Sequence, residues 1–260
     1  MEALRYYKPF TKSIEQLGRR HGVGHVFSDF LTLTTCALHP QTIAHPGYDP
    51  DPANETEYLG VSKTYTRPEL DGIGELMGLV LMQAHEQPFT DLLGEFFTEH
   101  VTRGHNGQFF TPDSICKLMA GLTAGDGQPI GKTVYDPACG SGRMVLGFAE
   151  DAPRNTFFAG DVDVRCARMT AINLFANKLT GEVAHMNALS MECWRGWHIN
   201  ATRGGIQPVA PAQVMQAGRP VQREALPKPR PLPSPPPSLL LAPARPPGAL
   251  AAPGAQLGLF

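Results

Sequence analysis

Apolar positions recur at helical spacing through the first hundred residues of the chain. Ile73, Leu76, Met77 and Val80 share one helix face, as do Leu92, Leu93, Phe96 and Phe97. Side chains three and four apart on a helix point the same way, so both sets predict core-facing stripes. A polar, proline-rich interruption lies between Pro40 and Asn54. Beyond His105 the period changes. Thr133–Tyr135 is a β-branched and aromatic run ending at Asp136, Arg143–Glu150 has helical character, and Thr156–Ala159 is a second strand-like run. Val164–Lys178 predicts a long helix, and a third strand is centred on Val183–Met186. Strand, helix, strand, helix, strand is the order of a parallel sheet with crossover helices.

A third zone starts near Gln207. From Pro208 to Phe260 the chain carries fourteen of its 25 prolines. Proline fixes φ and lacks a backbone donor, so helices and central strands are excluded and an extended, disordered tail is expected. At about 3.1 Å per residue such a tail reaches on the order of 150 Å. Its five basic residues, Arg219, Arg223, Lys228, Arg230 and Arg245, outnumber the single acid Glu224. The expected organisation is a helical region over 1–105, an α/β domain over 106–206 and the tail over 207–260.

Composition narrows the classes. With 260 residues and a net charge of −2, the chain is not a basic nucleic-acid coat, so any DNA contact comes from a local patch. The five cysteines are odd in number, scattered and without a Cys-x-x-Cys pair, which suggests neither a disulfide framework nor a zinc cluster. No eighteen apolar residues run together, and Met1–Lys12 carries charge without an apolar core, so a cytoplasmic protein without a membrane segment is expected. His21 and His25 have a metal-ligand spacing, but Gly22 and Gly24 break the helix between them, and no metal site is assigned.

The strongest cluster of chemistry is Asp136-Pro137-Ala138-Cys139-Gly140-Ser141-Gly142, at a strand-to-helix handover. Glycines there let the backbone turn tightly and approach a ligand. Asp161 follows at the end of the second strand, where a carboxylate can accept from two ribose hydroxyls. A dinucleotide fingerprint would place glycine or alanine where Val145 stands. Asp136 would also repel a pyrophosphate. S-adenosylmethionine (SAM) has no phosphate but carries an ammonium and a sulfonium, so electrostatics favours it. A second signal, Gly107-Gln108-Phe109-Phe110-Thr111-Pro112, places Thr111 as helix cap, Pro112 at the first helical position and Asp113 in the first turn.

Together, Gly107–Pro112 and Asp136–Gly142 resemble the gamma-order adenine amino DNA methyltransferases, closest to the modification subunits of type I restriction–modification systems. Asp91-Leu92-Leu93-Gly94-Glu95, Gly160-Asp161-Val162-Asp163 and Asn173-Leu174 look like further pieces of that pattern. The resemblance covers roughly Asp91 to Leu189. It implies a partial SAM-dependent methyltransferase sheet of Rossmann-like α/β class. Phe109, Phe110 and Thr111 would line the methionine end of SAM. Asp136 and Gly140 would face its amino acid moiety, with Pro137, Ala138, Cys139, Ser141 and Gly142 completing the loop, and Asp161 its ribose. Asn187 matches a residue near the adenine ring, or is a turn-forming asparagine.

In that family the target adenine leaves the duplex, at a cost on the order of a few kcal/mol. Its amino group is then held in line with the sulfonium methyl by an Asn/Asp/Ser-Pro-Pro-aromatic motif. These 260 residues contain no such motif. Ser234-Pro235-Pro236-Pro237 lacks the aromatic, and Asn200 is followed by Ala201 and Thr202, so no catalytic residue is identified. The further strands of the fold do not fit before the tail. Trp194 and Trp197 either stack on a flipped base or cover a sheet edge. The final Gln256, Leu257, Leu259 and Phe260 resemble the short peptide with which bacterial replication and repair proteins bind the sliding clamp, although Gly258 departs from it. A long tether would raise the local concentration of such an anchor. The expected partners are DNA, the clamp, and a specificity or catalytic subunit. Two functions follow: SAM-dependent methylation of adenine in DNA, or an inactive SAM-fold module tethered to the clamp. A reading-frame change past Ile206 is a third account of the tail.

Overall fold

The computed structural model describes residues 3–40, 51–102, 110–124, 129–201 and 204–214. Phe109, the greater part of the expected tail and the terminal Gln256, Leu257, Leu259 and Phe260 lie outside them. Five helices come first: α1 Tyr7–His21, α2 Val23–Ala37, α3 Pro52–Ser62, α4 Arg67–Glu86 and the short α5 Leu92–Phe96, continued by a π-helical turn Phe97–Thr102. Their starts follow local chemistry. Asp51 accepts from the N–H groups of Ala53 and Asn54 ahead of Pro52. Thr66 and Glu69 close a capping box at the head of α4. Asp91 accepts from Gly94 N at 2.9 Å to start α5.

Helix α6, Asp113–Ala124, leads into β1 Thr133–Asp136, α7 Arg143–Asp151, β2 Thr156–Asp161, α8 Val164–Ala176 and β3 Thr180–Asn187. Pro112 therefore stands in the cap position of α6, one residue after the expected Thr111, and its carbonyl accepts from Cys116 N at 3.0 Å. Strands β1, β2 and β3 are parallel neighbours, with Asp136 beside Ala159 and Asp161 beside His185. Phe157, Phe158 and Ala159 are all buried, as a strand covered on both faces requires.

The chain after β3 corrects the expectation that no further strands fit before the tail. Strands β4 Glu192–Ile199 and β5 Ile206–Val209 extend the sheet antiparallel, in the order β1-β2-β3-β4-β5. The fold thus runs past Ile206, and Gln207 and Pro208 belong to the sheet rather than to the tail. Pro208 is tolerated because β5 is an edge strand, where one side of the backbone has no ladder to complete. The two tryptophans differ because the β3–β4 register shifts between His185 and Met186, where Trp194 is skipped, while Trp197 stays in register with Val183. Trp197 is packed in the core, whereas Trp194 is 41% exposed.

One continuous core joins the helices to the sheet. Helix α8 sits at its centre, with Ala167, Met169, Ala171, Ile172 and Leu174 buried. Phe10, Phe27, Phe30 and Phe96 form an aromatic cluster beside it, Phe10 meeting Phe96 edge-on at 5.3 Å. Arg168 of α8, also buried, donates to Thr32 of α2 and to Glu57 of α3, both at 2.5 Å. Arg195 of β4 reaches the same Glu57 oxygen. Helical layer and sheet are thereby tied by charge as well as by apolar packing.

Among the described residues no helix is long and apolar enough to cross a membrane, and no group of three or more metal-ligating side chains occurs. His21 pairs with Glu69 and His25 with Asp29, so the two histidines serve different carboxylates.

Gly94 is the tightest point in the helical layer. A Cβ there would lie 2.0 Å from Asp91 Oδ2 and 2.3 Å from Ser141 Oγ. Gly94→Ala is expected to lower the unfolding free energy by about 2–3 kcal/mol, because buried backbone cannot retreat from an added methyl. Gly74 of α4 has open space around it, and Gly74→Ala is expected to raise stability by about 0.5–1 kcal/mol. Urea midpoints of the two variants check both values; equal shifts would remove the argument.

Candidate functional site

The carboxyl ends of the three parallel strands carry Asp136, Asp161 and Asn187 in turn. At a strand spacing of about 4.8 Å the three span roughly 10 Å, the width of a nucleoside. The loop Pro137–Gly142 folds back over β2. Cys139 N donates to Gly160 O at 2.9 Å, and Gly140 N donates to Asp161 Oδ2 at 2.9 Å. From the helix side, Thr170 Oγ1 donates to Gly140 O at 2.9 Å. Gly140 has a φ of +56°, and a Cβ on it would lie 2.9 Å from the Phe110 ring. Only glycine meets both conditions.

A third set of bonds fixes the loop from below. The Asp91 carboxylate accepts from Ser141 Oγ at 2.5 Å, Arg143 Nε at 3.0 Å and Asn173 Nδ2 at 2.9 Å. Asn173 Nδ2 also donates to Ser141 O at 2.8 Å. Ser141 is consequently a buried anchor for the loop. Cys139 is buried too, and burial pushes its thiol well above the ordinary range, so it acts as packing rather than as a nucleophile.

Above the loop lies a cavity of about 360 Å³ whose lining includes Phe110, Thr111, Tyr135, Asp136, Gly140 and Ser141. Asp136 Oδ1 accepts from Ala138 N at 3.1 Å. Burial raises the Asp136 pKa, the Ala138 N–H opposes the rise, and the charge of Asp161 adds to it. Burial likewise raises Asp161, against the N–H donors of Asp163 and Gly140. Asp136 lines the cavity, whereas Asp161 stands behind the loop with both carboxylate oxygens accepting backbone N–H groups.

The remaining expected residues fall as follows. Pro137 and Ala138 lie exposed on the rim, and Gly142, in the left-handed region, leads into α7. Asn187 Oδ1 accepts from Leu189 N at 2.9 Å and Ser190 N at 3.2 Å, so its carboxamide shapes the β3–β4 turn. Asn200 lies at the other end of the sheet, its Nδ2 donating to Leu179 O at 3.0 Å. Phe97 and Arg165 were not expected in the site. Phe97 stacks on Phe110 with ring centroids 5.7 Å apart, and Arg165 Cζ lies 5.0 Å from the Phe97 centroid. The periodicity marks Phe97 as core, but nothing local to the sequence marks its ring as the floor beneath Phe110.

A glycine loop at a β1 terminus, an acid at the β2 terminus and a parallel βαβαβ core are the architecture of a partial methyltransferase fold of α/β class. The family model described as N-6 DNA Methylase matches residues 89–198, from the head of α5 almost to the end of β4. That segment is similar to the N-6 DNA methylase family, a family of DNA methyltransferases. No curated protein and no solved structure matches the chain.

Because Asp136 and Asp161 titrate higher in the folded protein than in the unfolded chain, their contribution to stability is fully present below the unfolded-chain pKa. It is lost as pH rises through the folded value. Asp136→Asn keeps an acceptor for Ala138 N and removes the buried charge. The variant should unfold at a higher temperature than wild type at neutral pH, with the gap closing in acid. Thermal melts across pH check this, and a lower midpoint at neutral pH would refute it.

Proposed function

We propose that the chain binds SAM at the carboxyl edge of β1–β3 and takes part in methylating the amino group of adenine in DNA. The carrying observation is the pairing of Asp136, which lines the cavity, with Asp161, one hydrogen bond behind Gly140. Asp136 and the Gly140 backbone would hold the amino acid moiety, Phe110 and Thr111 the methionine chain, Asp161 the ribose, and Asn187 the side nearest the adenine ring. When bound, SAM supplies the electrophilic methyl group. The chain's own contribution is orientation: the loop is fixed on three sides, so the groups that line the cavity are held in place before a ligand arrives.

No described residue is placed to hold the target amino group; Asn200, the nearest candidate, faces the opposite end of the sheet. A base-holding group would therefore come from outside the described residues. The side of the site beyond β1 supports that reading, since among the described residues no strand pairs with the outer edge of β1. Tyr135 and the α6 residues Ile115, Leu118 and Met119 are exposed. The same observation favours a second reading, a cofactor-binding module that contacts DNA without turnover, with the terminal peptide available to a sliding clamp. A reducing, cytoplasmic setting agrees with five free cysteines.

Asp161→Asn should weaken SAM binding about 10–100-fold, the loss expected when charged hydrogen bonds to two hydroxyls become neutral ones. Calorimetry measures this, and unchanged affinity would remove Asp161 from the ribose site. Incubation with tritiated SAM and duplex DNA, alone and with co-purified subunits, separates the two readings. Label in adenine supports the enzyme, and SAM binding without label in any combination supports the module.

A further inference from the structure

Five side chains and one backbone turn close a circuit around the site. Gly140 N donates to Asp161 Oδ2 at 2.9 Å, and Asp163 N donates to Asp161 Oδ1 at 2.8 Å. Asp163 holds the Arg165 guanidinium through Nε at 3.0 Å and Nη2 at 2.5 Å. That guanidinium lies over the Phe97 ring, 5.0 Å from its centroid. Phe97, fully buried at the head of the π-helical turn, stacks on Phe110 with planes 16° apart. The Phe110 ring then occupies the space that a Cβ on Gly140 would fill. The path has returned to its start, having passed both the ribose carboxylate and the wall of the cavity.

Each contact in the circuit has a reason to be specific. A guanidinium is planar and weakly hydrated, so it can lie flat on an aromatic face while two of its N–H groups serve a carboxylate. An ammonium in its place could keep the ion pair but not the stacking. Phe97 cannot shift without opening the core, because a fully buried ring has no space to move into. Phe110, only half-buried, has no such restraint from burial alone. Its ring is oriented by what lies on either side, Phe97 beneath and Gly140 beside.

We infer that Arg165 and Phe97 are positioning residues for the methionine end of the cofactor site, acting through the Phe110 ring, although Arg165 is anchored at the ribose end. The inference rests on the proposed SAM reading and extends it. A role in general folding would disturb every ligand alike. A role through Phe110 disturbs only ligands that reach past the ribose.

The full chain is titrated by calorimetry with SAM, and adenosine is measured by displacement of SAM. Arg165→Lys is expected to weaken SAM about tenfold while changing adenosine affinity less than twofold. Phe97→Leu should show the same split. In the Arg165→Lys, Phe110→Leu double variant the SAM losses should be less than additive, since both changes break one path. Equal losses for SAM and adenosine, no loss for either, or strictly additive losses would each overturn the inference. Arg165→Lys alone remains decisive if Phe97→Leu fails to fold. If wild type binds neither ligand, the cofactor reading itself fails, a result distinct from all of these.

Discussion

A single buried carboxylate holds the site to the rest of the molecule. Asp91 starts helix α5, yet its two oxygens also take Ser141 Oγ, Arg143 Nε and Asn173 Nδ2. Those donors come from the glycine loop, the first turn of α7 and the last turn of α8. A charge this deeply buried is tolerable only when well supplied with donors, and removing any one leaves the others uncompensated. The requirement works in both directions. The helical layer needs the loop to satisfy Asp91, and the loop needs Asp91 to stay in register with β2. Gly94 follows from the same geometry, because there is no room for a side chain between that carboxylate and Ser141.

The sheet divides by function along its width. Its parallel half, β1 to β3, brings three polar side chains to one edge because parallel strands all end on the same side. Its antiparallel half, β4 and β5, turns back over β3 and puts Trp197 and Ile199 into the core. The N-6 DNA methylase match runs through both halves as far as His198, so β4 belongs to the matched domain rather than to an appended segment. The helical layer is equally integral: Glu57 of α3 bridges Arg168 of α8 and Arg195 of β4.

The site carries an electrostatic cost. Asp136 and Asp161 are each raised by burial, and the charge of Asp161 adds to the rise at Asp136. The protein is less stable for holding both ionised, because burial disfavours each charge. The cysteine within the loop takes no part in this balance, being neutral and packed.

What the sequence determined by itself was local. The period of apolar residues marked α4, α7, α8 and all three parallel strands. The loop Asp136–Gly142 could be read as a tight strand-to-helix turn, because its glycines let the backbone turn sharply. Three things were decided only by the tertiary structure. Strands β4 and β5 were hidden because Glu192–Ile199 mixes polar and aromatic residues without clean alternation, and Pro208 argues against a strand until β5 is seen to be an edge. Asn187 had a turn and a ligand reading of equal weight, and only the tertiary structure shows its Oδ1 accepting from Leu189 N and Ser190 N. The alignment of Arg165, Phe97 and Phe110 joins positions far apart in the chain. Periodicity reports which face a side chain takes, while ring stacking depends on where two faces meet, and that is fixed by packing alone.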